Sequence, residues 1–182
     1  MYWCVIPAAG TGRRAGGERP KQYQDLAGRP MLSWTLEALA AHPAVAGLMV
    51  ALAPGDPWWP GLLECLGKPV RTTSGGAERA QSVLNGLLAL PASVGSRDWV
   101  LVHDAARCLV QPAAIERLID ACIGDPVGGL LALPLADTLK DADAQGRVRG
   151  TVDRGGKWSA QTPQMFRLGL LAQALDRAGD QV

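Results

Sequence analysis

The sequence has almost no net charge, no closely spaced cysteines and no long apolar run, and each absence excludes a class of protein. The 18 Lys and Arg residues balance 17 Asp and Glu residues and leave a net charge of +1. The chain therefore has no overall electrostatic attraction to nucleic acid. No stretch reaches the ~18 uninterrupted apolar residues that a membrane-spanning helix needs. We expect neither a nucleic-acid partner nor a membrane partner.

The four cysteines are far apart in the sequence, at Cys4, Cys65, Cys108 and Cys122. None belongs to a C-x-x-C pair, so neither a zinc site nor a disulfide framework is indicated. The N-terminus is apolar but lacks the basic segment that opens a secretory signal. These features predict a cytoplasmic enzyme.

Apolar runs alternate with segments of helical spacing along the chain. Its 182 residues, 48% of them hydrophobic, suit one domain over residues 1–182 with a substantial core. The alternation predicts an α/β fold, with a Rossmann-like, mostly parallel sheet and flanking helices. The predicted strands are 2–6, 47–53, 70–73, 99–103 and 129–133, and the predicted helices are 31–41, 59–66, 78–90 and 113–123.

The alternation stops at residues 136–158. Two short extended segments flank a polar turn at 143–146, which predicts a protruding β-hairpin arm. An isolated hairpin is only marginally stable in water, so we expect the arm to pack against another surface. A disordered polar insertion is the alternative.

A glycine-rich, basic loop follows the first predicted strand. Gly10 and Gly12 let the backbone approach a ligand closely, and exposed backbone N–H groups can cradle phosphate oxygens. Arg14 and Lys21 add positive charge that can stabilise phosphoryl transfer. The loop is neither a dinucleotide fingerprint, whose third glycine would fall at Ala15, nor a Walker A loop, which ends in G-K-[ST]. A Gly- and Arg-rich surface turn is the alternative.

Two further motifs follow predicted strands. Gly75 and Gly76 precede a helix, whose first N–H groups can bind a polar ligand; an ordinary helix start is the alternative. Asp104 ends the fourth strand and can hold Mg²⁺, which uses one or two carboxylates together with substrate phosphates. An exposed Asp without a ligand is the alternative there. All three motifs lie at strand carboxyl ends, where ligands of parallel sheets bind.

The motifs P-A-A-G-x-G-x-R, P-K-Q-Y, G-G-x-E-R-x-x-S, H-D-A-A-R, T-V-D-R and T-P-Q occur in one order. Together they resemble the cytidylyltransferases that act on 2-C-methyl-D-erythritol 4-phosphate and on ribitol 5-phosphate. The resemblance covers essentially the whole chain and is closer to the first group. It implies transfer of CMP from CTP to a polyol phosphate, with Mg²⁺ as cofactor.

The resemblance also implies roles for particular residues. Catalysis falls to Arg14 and Lys21, and the metal to Asp104. The implied nucleotide-binding residues are Pro7, Ala8, Ala9, Gly10, Gly12, Gly76, Ala77, Ser82, Asp104 and Ala105. The implied residues for the polyol phosphate are Arg107, Thr138, Arg154 and Thr162.

In this family the arm grips a second subunit, and Thr138 and Arg154 face the partner's active site, so the resemblance implies a homodimer. Taken alone, without the resemblance, Arg154 reads as an ordinary solvated surface charge. Family members continue beyond Val182, so the family's C-terminal portion is expected to be absent here. Two alternatives to the first activity therefore stay open, a ribitol 5-phosphate enzyme and a truncated, non-catalytic nucleotide-binding subunit.

Overall fold

The structure is a computed structural model that describes residues 1–10 and 19–179. Strands and helices alternate over most of this range. The elements are β1 (Tyr2–Pro7), a 3₁₀ helix (Lys21–Tyr23), β2 (Asp25–Leu26), β3 (Arg29–Pro30), α1 (Met31–Ala40), β4 (Val45–Leu52), β5 (Glu64–Cys65), β6 (Lys68–Ser74), α2 (Arg79–Leu88), β7 (Trp99–Val102), α3 (Pro112–Cys122), β8 (Gly128–Pro134), β9 (Leu139–Ala142), β10 (Val148–Val152), β11 (Trp158–Arg167) and α4 (Leu168–Ala178).

Seven of these strands form one sheet in the order β5-β6-β4-β1-β7-β11-β8. The four central strands, β6, β4, β1 and β7, pair in parallel. β11 runs antiparallel to both of its neighbours, and β5 runs antiparallel to β6. The mostly parallel α/β sheet predicted from the sequence is therefore confirmed.

Three of the central strands, β1, β4 and β7, are buried on both faces, because helices cover each side of the sheet. Cys4 and Ile6 of β1 pack in a cluster with apolar residues of α1 and α3. Val5, between them, points to the other face and packs in a cluster with residues of α2 and α4. Parallel strands covered on both faces are continuously apolar, as these are. The rigid core thus fixes the edge at which the strands end.

The prediction of a helix at 59–66 is wrong. Residues 59–63 have no regular structure, and β5 then forms a hairpin with β6 across Leu66 and Gly67. Both turn residues have positive φ, as a tight two-residue hairpin turn requires. Pro60 disfavours helical backbone at Trp59, and Gly61 also has positive φ, so the helix cannot form.

Two elements, β11 and α4, were not predicted from the sequence with defined bounds. β11 contains Pro163, which argues against a central strand because proline cannot donate to the ladder. The structure accommodates it where the pairing with β8 is irregular, between Ala160 and Gln164. β11 lies antiparallel between β7 and β8, which places the T-P-Q motif beside the carboxyl end of β7.

The predicted arm is present as the hairpin of β9 and β10. Nearly all of its residues are exposed, including Val148, which is 64% exposed. In the described part of the chain, no helix combines the length and the hydrophobicity needed to cross a lipid bilayer.

Gly86 marks the closest packing of α2 on β1. A Cβ at this position would lie 2.4 Å from Cγ1 of Val5. We predict that Gly86→Ala lowers the melting temperature by roughly 2–10 °C, because overpacking a core costs about 1–3 kcal/mol. Helix propensity alone predicts the opposite sign, a gain of about 1 kcal/mol.

Thermal unfolding followed by circular dichroism measures this effect. Gly124→Ala is the matched control, because a Cβ at Gly124 meets nothing within 4 Å. A Gly86→Ala protein as stable as the unchanged chain would contradict the packing argument.

His42 is buried just after α1. Its Nδ1 accepts a hydrogen bond from the Ala44 N–H at 3.2 Å. Its Nε2 lies 3.9 Å from a Glu116 carboxylate oxygen and has no hydrogen-bond partner among the described residues. Burial lowers the pKa of His42, Glu116 opposes this shift, and Lys68 adds to it. The unfolded chain therefore binds a proton here at higher pH than the folded chain does.

This shift predicts an acid-sensitive fold. Stability is fully present above the unfolded pKa of about 6.5 and falls as the pH drops below it. His42→Asn keeps an acceptor for Ala44 but cannot titrate, so its free energy of unfolding should fall less between pH 7.5 and pH 5.5. Urea unfolding at the two pH values measures this; an equal loss in both proteins would remove His42 as the cause.

Candidate active site

The carboxyl ends of the parallel strands meet at one edge of the sheet. β1 ends at Pro7, β6 at Ser74 and β7 at Val102, and the parallel pairing, with β4 between β6 and β1, places these ends at the same edge. The three motifs found in the sequence leave the sheet from these points. As predicted, they lie at the edge where parallel sheets bind their ligands.

The side chain of Gln22 fixes the backbone of the first loop, the glycine-rich loop that follows β1. Its buried side-chain amide donates to the carbonyl oxygens of Ala8 at 2.7 Å and Gly10 at 3.0 Å. The Ala8 N–H donates to Ala51, which ties the loop to β4. Gly10 is exposed, and a Cβ there would meet none of the described residues within 4 Å, which suits a close approach of the backbone to a ligand.

The first and second loops touch at Gly75. A Cβ at Gly75 would lie 2.4 Å from the Cβ of Ala9, so only glycine allows this approach. Ser82 of α2 stabilises the second loop, which contains Gly75 and Gly76. Its Oγ accepts a hydrogen bond from the Gly76 N–H at 3.0 Å and lies 3.1 Å from the Glu78 carbonyl oxygen. The buried Ser82 hydroxyl thus shapes the turn, while Ala77 stays exposed.

Asp104 lies between two arginines. One carboxylate oxygen accepts a hydrogen bond from Arg79 Nε at 2.9 Å and lies 2.8 Å from Arg79 Nη2, and the other accepts from Arg107 Nε at 2.9 Å. Burial raises the pKa of Asp104, but the two guanidinium groups outweigh it and leave the pKa below its usual range. Asp104 is therefore ionised at neutral pH.

These ion pairs matter for the site more than for stability. The Asp104 side chain is 30% exposed and the two arginines are about half-exposed. Pairs this open to water add about 0–1 kcal/mol each. Their effect is to fix the direction of three charged groups at the edge of the sheet.

Buried polar groups support the loop that carries Asp104. Thr35 of α1 donates to the Ala105 carbonyl at 2.8 Å. His103 Nε2 lies 2.9 Å from the Arg107 carbonyl oxygen, which can only accept, so this nitrogen carries the proton. Burial lowers the pKa of His103, which keeps the imidazole neutral. His103 therefore has a structural role.

A cavity of about 450 Å³ opens beside this loop. Lys21 and Arg107 supply positive charge to its wall, and Thr162 lies next to them. Thr162 Oγ1 also accepts from the Asp104 N–H at 3.2 Å, which joins β11 to the third motif. The remaining lining residues are Leu26, Met31, His103, Ala106, Cys108, Leu109, Val110 and Gln161.

The structure thus places most of the candidate residues together. Pro7, Ala8, Ala9, Gly10, Gly76, Ala77, Asp104 and Ala105 lie at the edge of the sheet, and Lys21, Arg107 and Thr162 line the cavity. Gly12 and Arg14 lie outside the described residues. Thr138 and Arg154 do not line the cavity; Arg154 donates to the Ala136 carbonyl at the base of the arm.

Sequence analysis gave no role to three residues that organise the site, namely Gln22, Thr35 and Arg79. Gln22 and Arg79 stood inside quoted motifs, so their polarity beside glycine-rich loops was an available signal. Thr35 contacts Ala105 from 70 residues away. Nothing in the sequence pattern indicates such a contact.

Among the described residues of the site, Asp104 is the acid that could hold Mg²⁺. In the described ranges, no group of three or more His, Cys, Asp or Glu side chains forms a metal cluster. Mg²⁺ takes only one or two carboxylates when substrate phosphates complete its shell, so Asp104 suits a cation that arrives with a triphosphate. Before Asp104 can bind a cation, its two carboxylate oxygens must give up their contacts with Arg79 and Arg107.

Comparison with known sequences gives one family. The sequence model of IspD, 2-C-methyl-D-erythritol 4-phosphate cytidylyltransferase, matches residues 2–182. Enzymes of that name from Xanthomonas axonopodis pv. citri and Pseudomonas aeruginosa are each 54% identical over 176 residues. The first match covers 97% of this chain and 66% of the Xanthomonas protein, and the second covers 96% and 75%.

Solved structures agree with the sequence relatives. A crystal structure of 4-diphosphocytidyl-2C-methyl-D-erythritol synthase superposes with a TM-score of 0.81 at 37% identity, covering 97% of this chain and 78% of that one. The Francisella tularensis enzyme gives 0.81 at 32% identity, covering 97% and 77%. From its fold, its motifs and these matches, the chain belongs to the IspD family of 2-C-methyl-D-erythritol 4-phosphate cytidylyltransferases.

Proposed function

We propose that this chain transfers the CMP moiety of CTP to 2-C-methyl-D-erythritol 4-phosphate. The products are 4-diphosphocytidyl-2-C-methyl-D-erythritol and pyrophosphate, and the step belongs to non-mevalonate isoprenoid precursor biosynthesis. The meeting of three loops at one sheet edge, beside a cavity lined by Lys21 and Arg107, is the observation that carries the proposal. The names of the relatives supply the substrates.

The reaction needs positioning and positive charge rather than a protein nucleophile. A phosphate oxygen of the acceptor attacks the α-phosphorus of CTP, and the bond from that phosphorus to the bridging oxygen of pyrophosphate breaks. The acceptor phosphate is already ionised, so no strong general base is required. Lys21 stabilises the negative charge on the α-phosphate in the transition state. We assign the same role to Arg14, which lies outside the described residues.

Two features of the site suit the substrates. The loop at Gly10 and the turn at Gly76 offer backbone N–H groups to the nucleotide, and Arg107 can donate two parallel hydrogen bonds to the acceptor phosphate. Mg²⁺, held by Asp104 and the triphosphate, would neutralise charge on the leaving pyrophosphate. The four cysteines are free, which suits the reducing cytoplasm as the place of action.

Pyrophosphate release by the purified chain tests this function. We expect turnover with CTP, Mg²⁺ and 2-C-methyl-D-erythritol 4-phosphate, and little turnover with ribitol 5-phosphate. Lys21→Ala should lose about 100-fold or more in kcat, as happens when one preorganised transition-state contact is removed.

Arg117→Ala is the control for charge, because Arg117 is exposed on α3 and does not line the cavity. It should keep normal turnover. Turnover with ribitol 5-phosphate alone would favour that acceptor. Saturable CTP binding without turnover would favour a non-catalytic subunit.

The arm is proposed to hold a second copy of the chain. Two apolar side chains are exposed here and would stay in contact with water in a monomer. Val148 of β10 is 64% exposed, and Trp158 at the start of β11 is 61% exposed. In such a dimer Thr138 and Arg154 face the partner's site, which explains why they lie outside the cavity of their own chain. The acceptor phosphate would then be bound from both subunits.

Sedimentation equilibrium tests the arm. The unchanged chain should have twice the mass of 19.1 kDa, and Val148→Asp should shift it to the monomer by placing a charge in the buried contact. Leu63→Asp is the matched control, because Leu63 is 81% exposed but lies away from the arm. A monomeric unchanged chain, or equal effects of both substitutions, would rule out an interface formed by the arm.

A further inference from the structure

Arg79 stands where the second and third motifs meet. It is the first residue of α2, directly after the turn at Gly75 and Gly76, and its guanidinium reaches Asp104 beyond the end of β7. Both of its contacts, at 2.9 and 2.8 Å, go to the same carboxylate oxygen. Arg107 takes the other oxygen.

This arrangement leaves unused donors. A guanidinium has five N–H groups, and Arg79 directs only two toward Asp104. Within the described residues its side chain makes no other hydrogen bond, and it is 48% exposed. Arg107 likewise uses one nitrogen on Asp104 and one on Gln161.

The charge of the cluster has the sign of an anion site. Arg79 and Arg107 carry two positive charges and Asp104 carries one negative charge, which leaves a net +1 at the edge of the sheet. Planar guanidinium groups match the geometry of phosphate oxygens and can bind them bidentately. The loops on either side, at Gly10 and Gly76, are the ones proposed to approach the nucleotide.

We propose that Arg79 binds the phosphates of the nucleotide and that Asp104 is its placeholder, holding Arg79 and Arg107 in position until the nucleotide arrives. This inference rests on the proposed function, because it takes CTP as the ligand. The Asp104 carboxylate repels a triphosphate, so the guanidinium groups exchange it for phosphate oxygens. The exchange frees the oxygens of Asp104, which makes the carboxylate available to a cation only once the nucleotide is bound.

Nucleotide binding without metal separates Arg79 from the rest of the site. Calorimetric titrations in EDTA compare CTP with cytidine, which lacks phosphates. Arg79→Ala should weaken CTP binding by about 10- to 100-fold, the range for a charge-assisted hydrogen bond, and leave cytidine binding within about 2-fold. Arg79→Lys should recover part of the loss, and Arg117→Ala should bind both ligands normally.

Asp104→Asn tests the placeholder. It removes the competing negative charge, so CTP should bind more tightly in EDTA than to the unchanged chain, although Mg²⁺-dependent turnover is lost. Weaker binding of CTP to Asp104→Asn would overturn the placeholder role. Circular dichroism spectra of all variants establish that they are folded.

The outcomes also separate this inference from the proposed function. Equal losses for CTP and cytidine in Arg79→Ala would mean that Arg79 only shapes the loop, and would overturn its phosphate role. Unchanged CTP binding in that variant would overturn it as well, while leaving the proposed function intact. An unchanged chain that fails to bind CTP would overturn both.

Discussion

The carboxylate of Asp104, held between Arg79 and Arg107, is the interaction through which the parts of the site are joined. Arg79 belongs to α2, Arg107 follows β7, and the backbone N–H of Asp104 bonds to Thr162 of β11. Three segments that are distant in sequence therefore meet at one residue. Their relative positions decide where the remaining positive charge points.

The contacts at Asp104 keep their positions only because the sheet beneath them is rigid. β1 and β4 are buried on both faces, so their ends cannot shift without disturbing the core. The loops above need little regular structure of their own; they are held by a few buried polar contacts, such as the amide of Gln22 and the hydroxyl of Thr35. A stable scaffold below a few well-placed loops is how α/β proteins generally build ligand sites.

Some elements of the fold could be predicted from the sequence, and others could not. The strands 2–6 and 99–103 were found because continuous apolar runs are typical of buried parallel strands. The prediction of a helix at 59–66 was wrong because the hydrophobic content of the segment does not reveal that Pro60 and Gly61 prevent a helix. β11 was missed because Pro163 argues against a strand. The sequence pattern could not reveal the irregular pairing that accommodates it.

The amino-acid sequence by itself determined the class of fold, the family and the candidate residues of the site, because periodicity and short motifs are local properties. Tertiary structure decided which residues touch. Arg79 contacts Asp104 although 25 residues separate them in the sequence, and Thr35 contacts Ala105 although 70 residues separate them. Thr138 and Arg154 lie on the arm, outside the cavity. Such contacts depend on strand order and helix packing, which arise only when the whole chain buries its apolar surface together.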